Sequence, residues 1–182
     1  MSYVEKLKDS ARGLANVRVI TGVGMFCALY MVLSTFNVYF TPTLRITFGF
    51  LAVAASCYFY GVVPNVIAGF ICDFLGWALH PDGGYFPGYA VNAMIQAFLF
   101  ASFFYGEKKV PVWKILTARF LVVVINYICL NSLWLAIMYG DSFWVLAGMR
   151  ITKNIIMFPI DCLMLWLVLR LCTRIRDQRR IG

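Results

Sequence analysis

Val19 to Phe40 is a run of 22 residues without a charged side chain. At 1.5 Å per residue, a helix of that length crosses the roughly 30 Å of hydrocarbon in a bilayer. Similar runs follow through most of the 182 residues, of which 62% are apolar and 13% charged, and the mean hydropathy is +0.80. A soluble domain carries about 45–50% apolar and about 25% charged residues. One of about 150 residues still exposes roughly 30% of its unfolded surface. The chain therefore holds more hydrocarbon than its own core can bury, and the excess faces lipid. A soluble enzyme, a disulfide-stapled secreted domain and a disordered tail are excluded, and the length suits a single membrane domain over 1–182.

Turn residues and charge divide that domain. Residues 1–18, with Lys6, Lys8, Arg12 and Arg18, form an amphipathic cationic lead-in, and 173–182 form a basic tail. Between them, 19–172 is expected to be a six-helix bundle with spans near 19–40, 44–60, 64–80, 86–105, 113–139 and 143–172. The breaks are Thr41-Pro42-Thr43, Gly61-Val62-Val63-Pro64, the His80–Gly84 loop, the charged turn 106–111 and the 139–142 turn. Six crossings put both termini on one side. The lead-in, the 106–114 loop and the tail hold most of the Lys and Arg, which assigns those parts to the cytosol. The expectation is an all-α, multi-pass integral membrane protein of a cell membrane, with cytosolic N- and C-termini. No small-residue cleavage site follows the lead-in, so the first span is expected to be retained.

The net charge of +8 (16 Lys+Arg, 8 Asp+Glu) gathers at the chain ends and in one loop, not on an aromatic-interleaved soluble face, which argues against a nucleic-acid partner. All six cysteines lie in apolar runs without CxxC spacing and are expected to be buried free thiols, with no metal site. There is no GxxxxGK[ST], no HExxH and only one histidine, so neither a P-loop ATPase nor a zinc enzyme is encoded. Gly24 and Ala28 form a small-xxx-small pair suited to close helix contact with a partner.

Charges at membrane depth cost about 2.5–3.5 kcal/mol on insertion scales, so each needs a reason. Between Val19 and Gly106 the charged residues are Arg45, Asp73 and Asp82. Arg45 stands at the start of the second span, either snorkelling to the interface or offering its fork to a carboxylate or phosphate. In the last span Arg150, Lys153, Asn154, Met157 and Asp161 follow steps of 3, 1, 3 and 4, which places them on one helical stripe. Arg150 and Lys153 are expected near the outer interface, on the same side as Arg45. Snorkelling explains one such cation easily and three less well. Asp161 lies deeper and is expected to pair with Lys153 or cap a polar network. Asn92 and Gln96 share a face of the fourth span, and Asn126 and Asn131 lie on the fifth. These amides either glue helices together or read the edge of a heteroaromatic ring. Tyr85, Phe86, Tyr89, Trp134 and Tyr139 form either an interfacial aromatic belt or a stacking clamp for a flat ligand, with 80–87 as a lid.

Several segments resemble the substrate-binding S component of energy-coupling-factor (ECF) vitamin transporters, and its folate-specific branch most. They are Arg45-Ile46-Thr47-Phe48-Gly49-Phe50, Asp73-Phe74-Leu75-Gly76, Gly84-Tyr85-Phe86-Pro87-Gly88-Tyr89, Asn131-Ser132-Leu133-Trp134-Leu135 and Arg150-Ile151-Thr152-Lys153-Asn154. The similarity covers about 45–160. It implies a non-catalytic subunit, without a cofactor, that captures folate outside and docks through its first helices, with Gly24 and Ala28, on a transmembrane coupling protein driven by two cytosolic ABC ATPases. Arg45, Arg150 and Lys153 suit the two carboxylates of folate. Tyr85, Phe86, Asn92, Gln96, Asn131 and Trp134 suit its flat pterin, whose N–H groups Asp73 can accept. The rivals are an S component for riboflavin, thiamine or a deazaguanine, a small intramembrane lipid-acting enzyme using Asp73, Asp161 or His80, and a structural membrane scaffold.

Overall fold

The computed structural model describes residues 3–39, 45–79, 84–139 and 143–181. An amphipathic helix α1 (Tyr3–Gly13) precedes α2 (Val17–Thr35). Asn16 caps α2, its side-chain oxygen accepting from the Arg18 N–H at 3.0 Å. Beyond Arg18 the helix is uncharged, and Ile20, Met25, Leu29 and Val32 are exposed, as suits a helix whose solvent is lipid.

The first span ends earlier than its composition suggested. Asn37–Tyr39 form a strand β1, paired antiparallel with β2 (Arg45–Thr47) in the register Asn37–Thr47, Val38–Ile46, Tyr39–Arg45. The Val, Ile, Tyr and Thr in these stretches favour a pleated ribbon. Arg45 thus sits on a strand, not at the head of the second helix, which begins only at Gly49. Hydropathy alone does not distinguish an apolar hairpin from the end of an apolar helix.

Helix α3 (Gly49–Tyr60) turns into α4 (Val62–Leu79) through Gly61, whose φ of +80° favours glycine. The Ser10 hydroxyl accepts from the Val63 N–H at 3.0 Å, clamping α1 under this turn. Helix α5 (Pro87–Phe104) opens on a proline, whose fixed φ suits a first helical position. The fifth span is one rod in three parts: α6 (Val112–Val122), a π-helical stretch (Val123–Leu130) and α7 (Asn131–Tyr139). Helix α8 (Phe143–Ile181) contains Pro159 and runs straight through the expected tail, so Arg174 and Arg176 are helical. Among the described residues, four segments are long and apolar enough to cross a membrane: Val17–Thr35, Pro87–Phe104, Val112–Met138 and Arg150–Gln178. Gly49–Tyr60 and Val62–Ala78 are shorter apolar helices.

The core forms where α3, α5, α6 and α8 meet, around Cys57, Tyr58, Ala97, Phe100, Ala118 and Leu165. Small residues let the backbones approach closely. A Cβ on Gly69 would lie 3.0 Å from the Ala93 carbonyl, so α4 and α5 are nearly in backbone contact there. Four cysteines are buried, but Cys27 is half-buried and Cys129 is exposed, so burial does not extend to all six. At one end of the bundle Glu107 collects the chain's extremities. Its carboxylate pairs with Lys6 at 3.3 Å and Lys114 at 2.9 Å, and its carbonyl accepts from Arg176 at 2.6 Å. Burial opposes charge on Glu107, but the two ammonium groups outweigh it and hold its pKa below the ordinary 4.5. Beside it the Tyr105 hydroxyl donates to Asp9 at 2.7 Å, and burial together with that carboxylate pushes its pKa up to about 12.

Candidate functional site

A cavity of about 500 Å³ lies among α2, α3, α4, α5, the α6–π–α7 rod and α8, within the roughly 300–1,000 Å³ range of small-molecule sites. Chain direction places it toward the end of the bundle away from Glu107. The cavity takes the start of α3 (Gly49, Phe50), whereas the last residue of α3, Tyr60, accepts a hydrogen bond from Ser10 beside the Glu107 end. Its charged wall is the α8 stripe: Arg150, Lys153, Asn154, Met157 and Asp161 all line it. Asn154 donates to the Arg150 carbonyl at 2.8 Å, which spends its amide on its own helix.

Opposite that stripe stands Arg119 of α6, which the sequence analysis did not single out. Arg119 and Asp161 are each 4% exposed, and Arg119 Nη2 donates to Asp161 Oδ2 at 2.5 Å. Asp161 is therefore ion-paired with Arg119. The guanidinium lies 4.7 Å from the Phe50 ring and 5.3 Å from the Tyr127 ring, a cation–π setting in a low-dielectric place. Its Nε and Nη1 have no acceptor among the described residues. A signal for this pair was available: Arg119 is the one charge in 115–139, and Asp161 is the one acid in 143–176. Lone opposite charges on two spans are each other's natural partners.

The π-helical stretch has a part in the wall. At 100° per residue, Arg119 and Asn131 would point about 120° apart on an unbroken α-helix. The wider turns of Val123–Leu130 unwind that angle, and Arg119, Tyr127 and Asn131 all line the cavity.

The other expected site residues divide. Gln96, Asn131, Arg150 and Lys153 line the cavity. Asn92 does not, despite sharing a helix face with Gln96. Its side-chain oxygen accepts from the Trp134 indole at 3.1 Å and its carbonyl accepts from Asn126 at 2.8 Å, tying α5 to the fifth span. Phe86 packs edge-on against Trp134 with ring centroids 5.6 Å apart. Tyr85 packs on Phe74 and Trp77, and its hydroxyl donates to Asp73 at 3.4 Å. Asp73, Tyr85, Phe86, Asn92 and Trp134 are engaged with one another in these contacts and are not among the residues that line the cavity. The aromatic residues that do line it are Phe26, Tyr30, Phe50 and Tyr127. The side chain of Arg45 and the lid residues His80–Gly83 lie outside the described residues. Gly24 and Ala28 are exposed on α2, and a Cβ on Gly24 would meet nothing within 4 Å.

Among the described residues lining the cavity, three cations against one carboxylate leave two formal positive charges. Such a space, with aromatic and amide groups at hand, suits a flat ligand bearing two acidic groups. No family model matches the chain. It is 32% identical over 169 residues to "Folate transporter FolT" of Clostridium novyi (strain NT), an alignment covering 93% of this chain and 98% of that protein. It is also 32% identical over 151 residues to "Folate transporter FolT" of Leuconostoc mesenteroides, covering 80% and 81%. Among solved structures it resembles a crystal structure of FolT bound with folic acid, with a TM-score of 0.76 and 28% identity over 85% of this chain and 94% of that one.

Removing one partner of a buried ion pair strands the other charge, at a cost of about 3–5 kcal/mol, whereas replacing both with apolar residues is often neutral. Asp161→Ala is expected to lower the thermal unfolding temperature in detergent by that equivalent. Arg119→Met combined with Asp161→Leu is expected to recover most of the loss. Equal destabilisation by the single and double variants would show that the pair is not held dry.

Proposed function

The chain belongs to the FolT family of folate transporters, and we propose that it is the folate-capturing S component of an ECF-type importer in a bacterial plasma membrane. The observation that carries this reading is the charge balance of the cavity. Arg119 is matched by Asp161, while Arg150 and Lys153 add two cations with no second acid among the described lining residues. The glutamate end of folate is a dianion, which supplies the missing pair of negative charges. A guanidinium fork and an ammonium bind carboxylates by charge-assisted hydrogen bonds. The pterin end is flat and carries donors and acceptors on its edge. Tyr30, Phe50 and Tyr127 offer it faces, and Gln96 and Asn131 offer it amides. The Arg119 guanidinium also lines the cavity, and its fork has donors beyond the one given to Asp161.

Transport follows from a bundle that crosses the membrane six times, through α2, α3, α4, α5, the α6–π–α7 rod and α8. Helix α3 is 12 residues long, about 18 Å at 1.5 Å per residue, and is the shortest of these crossings. The cationic end around Lys6, Lys114 and Arg176 faces the cytosol with both termini, and the cavity faces outward. In this reading Asp73, Tyr85, Phe86, Asn92 and Trp134 support the mouth, and Arg45 contributes from the hairpin. The chain binds no ATP. A transmembrane coupling protein and two cytosolic ABC ATPases supply the energy, and the open face of α2 at Gly24 and Ala28 is the surface they require. A transporter subunit of this kind performs no chemistry.

Isothermal titration with folate and with pteroate, which lacks the glutamate, tests the ligand assignment. Arg150→Ala and Lys153→Ala are each expected to weaken folate binding at least about tenfold, or 1.4 kcal/mol, and to change pteroate binding much less. Equal losses for both ligands, or none, would overturn the carboxylate role. Gly24→Leu, tested separately, is expected to leave folate affinity unchanged while abolishing uptake by cells that supply the coupling partners. Undiminished uptake would remove α2 as the docking face.

A further inference from the structure

A second recess, of about 400 Å³, opens at the other end of the bundle between the 105–111 turn, α6 and the last turns of α8. Lys109, Arg170 and Arg174 form its polar side and Ile115, Trp166 and Leu169 its apolar side. The Arg170 guanidinium lies 5.0 Å over the Trp166 ring, which fixes the fork in place. Among the described residues none of these three cations is in an ion pair. Other cations of the same end are engaged: Lys6 and Lys114 pair with the Glu107 carboxylate, and Arg176 donates to its carbonyl. Asp177 is the one acid among the described residues lining the recess, so two formal positive charges are left over among them.

Snorkelling sends each cation separately to the headgroup layer. Here three cations from two separate elements converge on one concavity whose other side is hydrocarbon and indole. On α8, Leu163, Leu167 and Leu171 are exposed around it, so the apolar side continues onto the lipid-facing surface. A ligand matching both halves is amphiphilic: an anion, with phosphate geometry for the two guanidinium groups, joined to an acyl chain. Basic pockets between membrane helices bind anionic lipid headgroups on the same physical grounds.

We propose that this recess binds the phosphate diester of an anionic phospholipid, held by Lys109, Arg170 and Arg174, with an acyl chain along Trp166. The site is independent of the folate cavity. The test uses the full chain in phosphatidylcholine nanodiscs with or without phosphatidylglycerol, reading thermal unfolding and the lipid retained in native mass spectrometry. Phosphatidylglycerol is expected to raise the unfolding temperature and to remain bound. Arg170→Ala with Arg174→Ala is expected to cut retained lipid about tenfold or more and to erase the shift. Arg12→Ala with Lys108→Ala removes the same charge outside the recess and is expected to change neither. Should the double arginine variant not fold, Lys109→Ala on the exposed turn is expected to reduce retention in the same direction. Equal retention by the recess and control variants, an equal shift in pure phosphatidylcholine, or a shift reproduced by inorganic phosphate in phosphatidylcholine would each overturn the assignment to a lipid.

Discussion

Arg119 can be buried at membrane depth because Asp161 meets it there, 42 residues away in the chain. A guanidinium without a counter-ion in that position would cost several kcal/mol. The pairing fixes the rotation of α6 against α8, and with it the direction in which Arg150 and Lys153 point along the α8 stripe. It also engages the one acid among the described residues of the cavity. The positive charge left over is therefore a consequence of how the bundle is held together, and the preference for an acidic ligand follows from it.

The bundle's two ends hold their charges differently. At the Glu107 end, Lys6 and Lys114 converge on one carboxylate, Arg176 donates to its carbonyl, and the Ser10 hydroxyl fastens α1 beneath Gly61. At the cavity end Asp161 meets Arg119, and Arg150 and Lys153 line the same space. Between the two, the dense core of Ala54, Ala97, Ala101 and Ala118 with Phe100 and Phe104 packs α3, α5, α6 and α8. Close-packed interiors resist local adjustment, so the cavity's cations stand on a rigid base. A preformed site loses less ordering entropy when it binds.

Much of this was legible in the residues. The helical spans follow from apolar runs and turn chemistry, and the steps from Arg150 to Asp161 put that stripe on one face before any coordinates. The β1–β2 hairpin was not legible, because an apolar Val-Tyr-Phe stretch after Thr35 satisfies hydropathy whether helical or extended. The place of Asn92 was missed for a different reason. Four-residue spacing reports a shared face, but not that the Trp134 indole from another helix would occupy that amide. Trp134 and Phe86 pack on each other, a contact between two elements that aromatic composition does not report. The aromatic lining comes from Phe26, Tyr30, Phe50 and Tyr127, which single-helix periodicity cannot assign to a common space. The π-helical turns that align Arg119 with Asn131 leave no trace in composition.

The most direct test is a structure of this chain with folate bound, examined at its two carboxylates. They should lie within about 4 Å, the reach of an ion pair, of the Arg150 guanidinium and the Lys153 ammonium, with the pterin among Tyr30, Phe50 and Tyr127. Carboxylates turned away from α8 toward solvent, with Arg150 and Lys153 left without an anion, would contradict a cavity whose surplus charge selects its ligand.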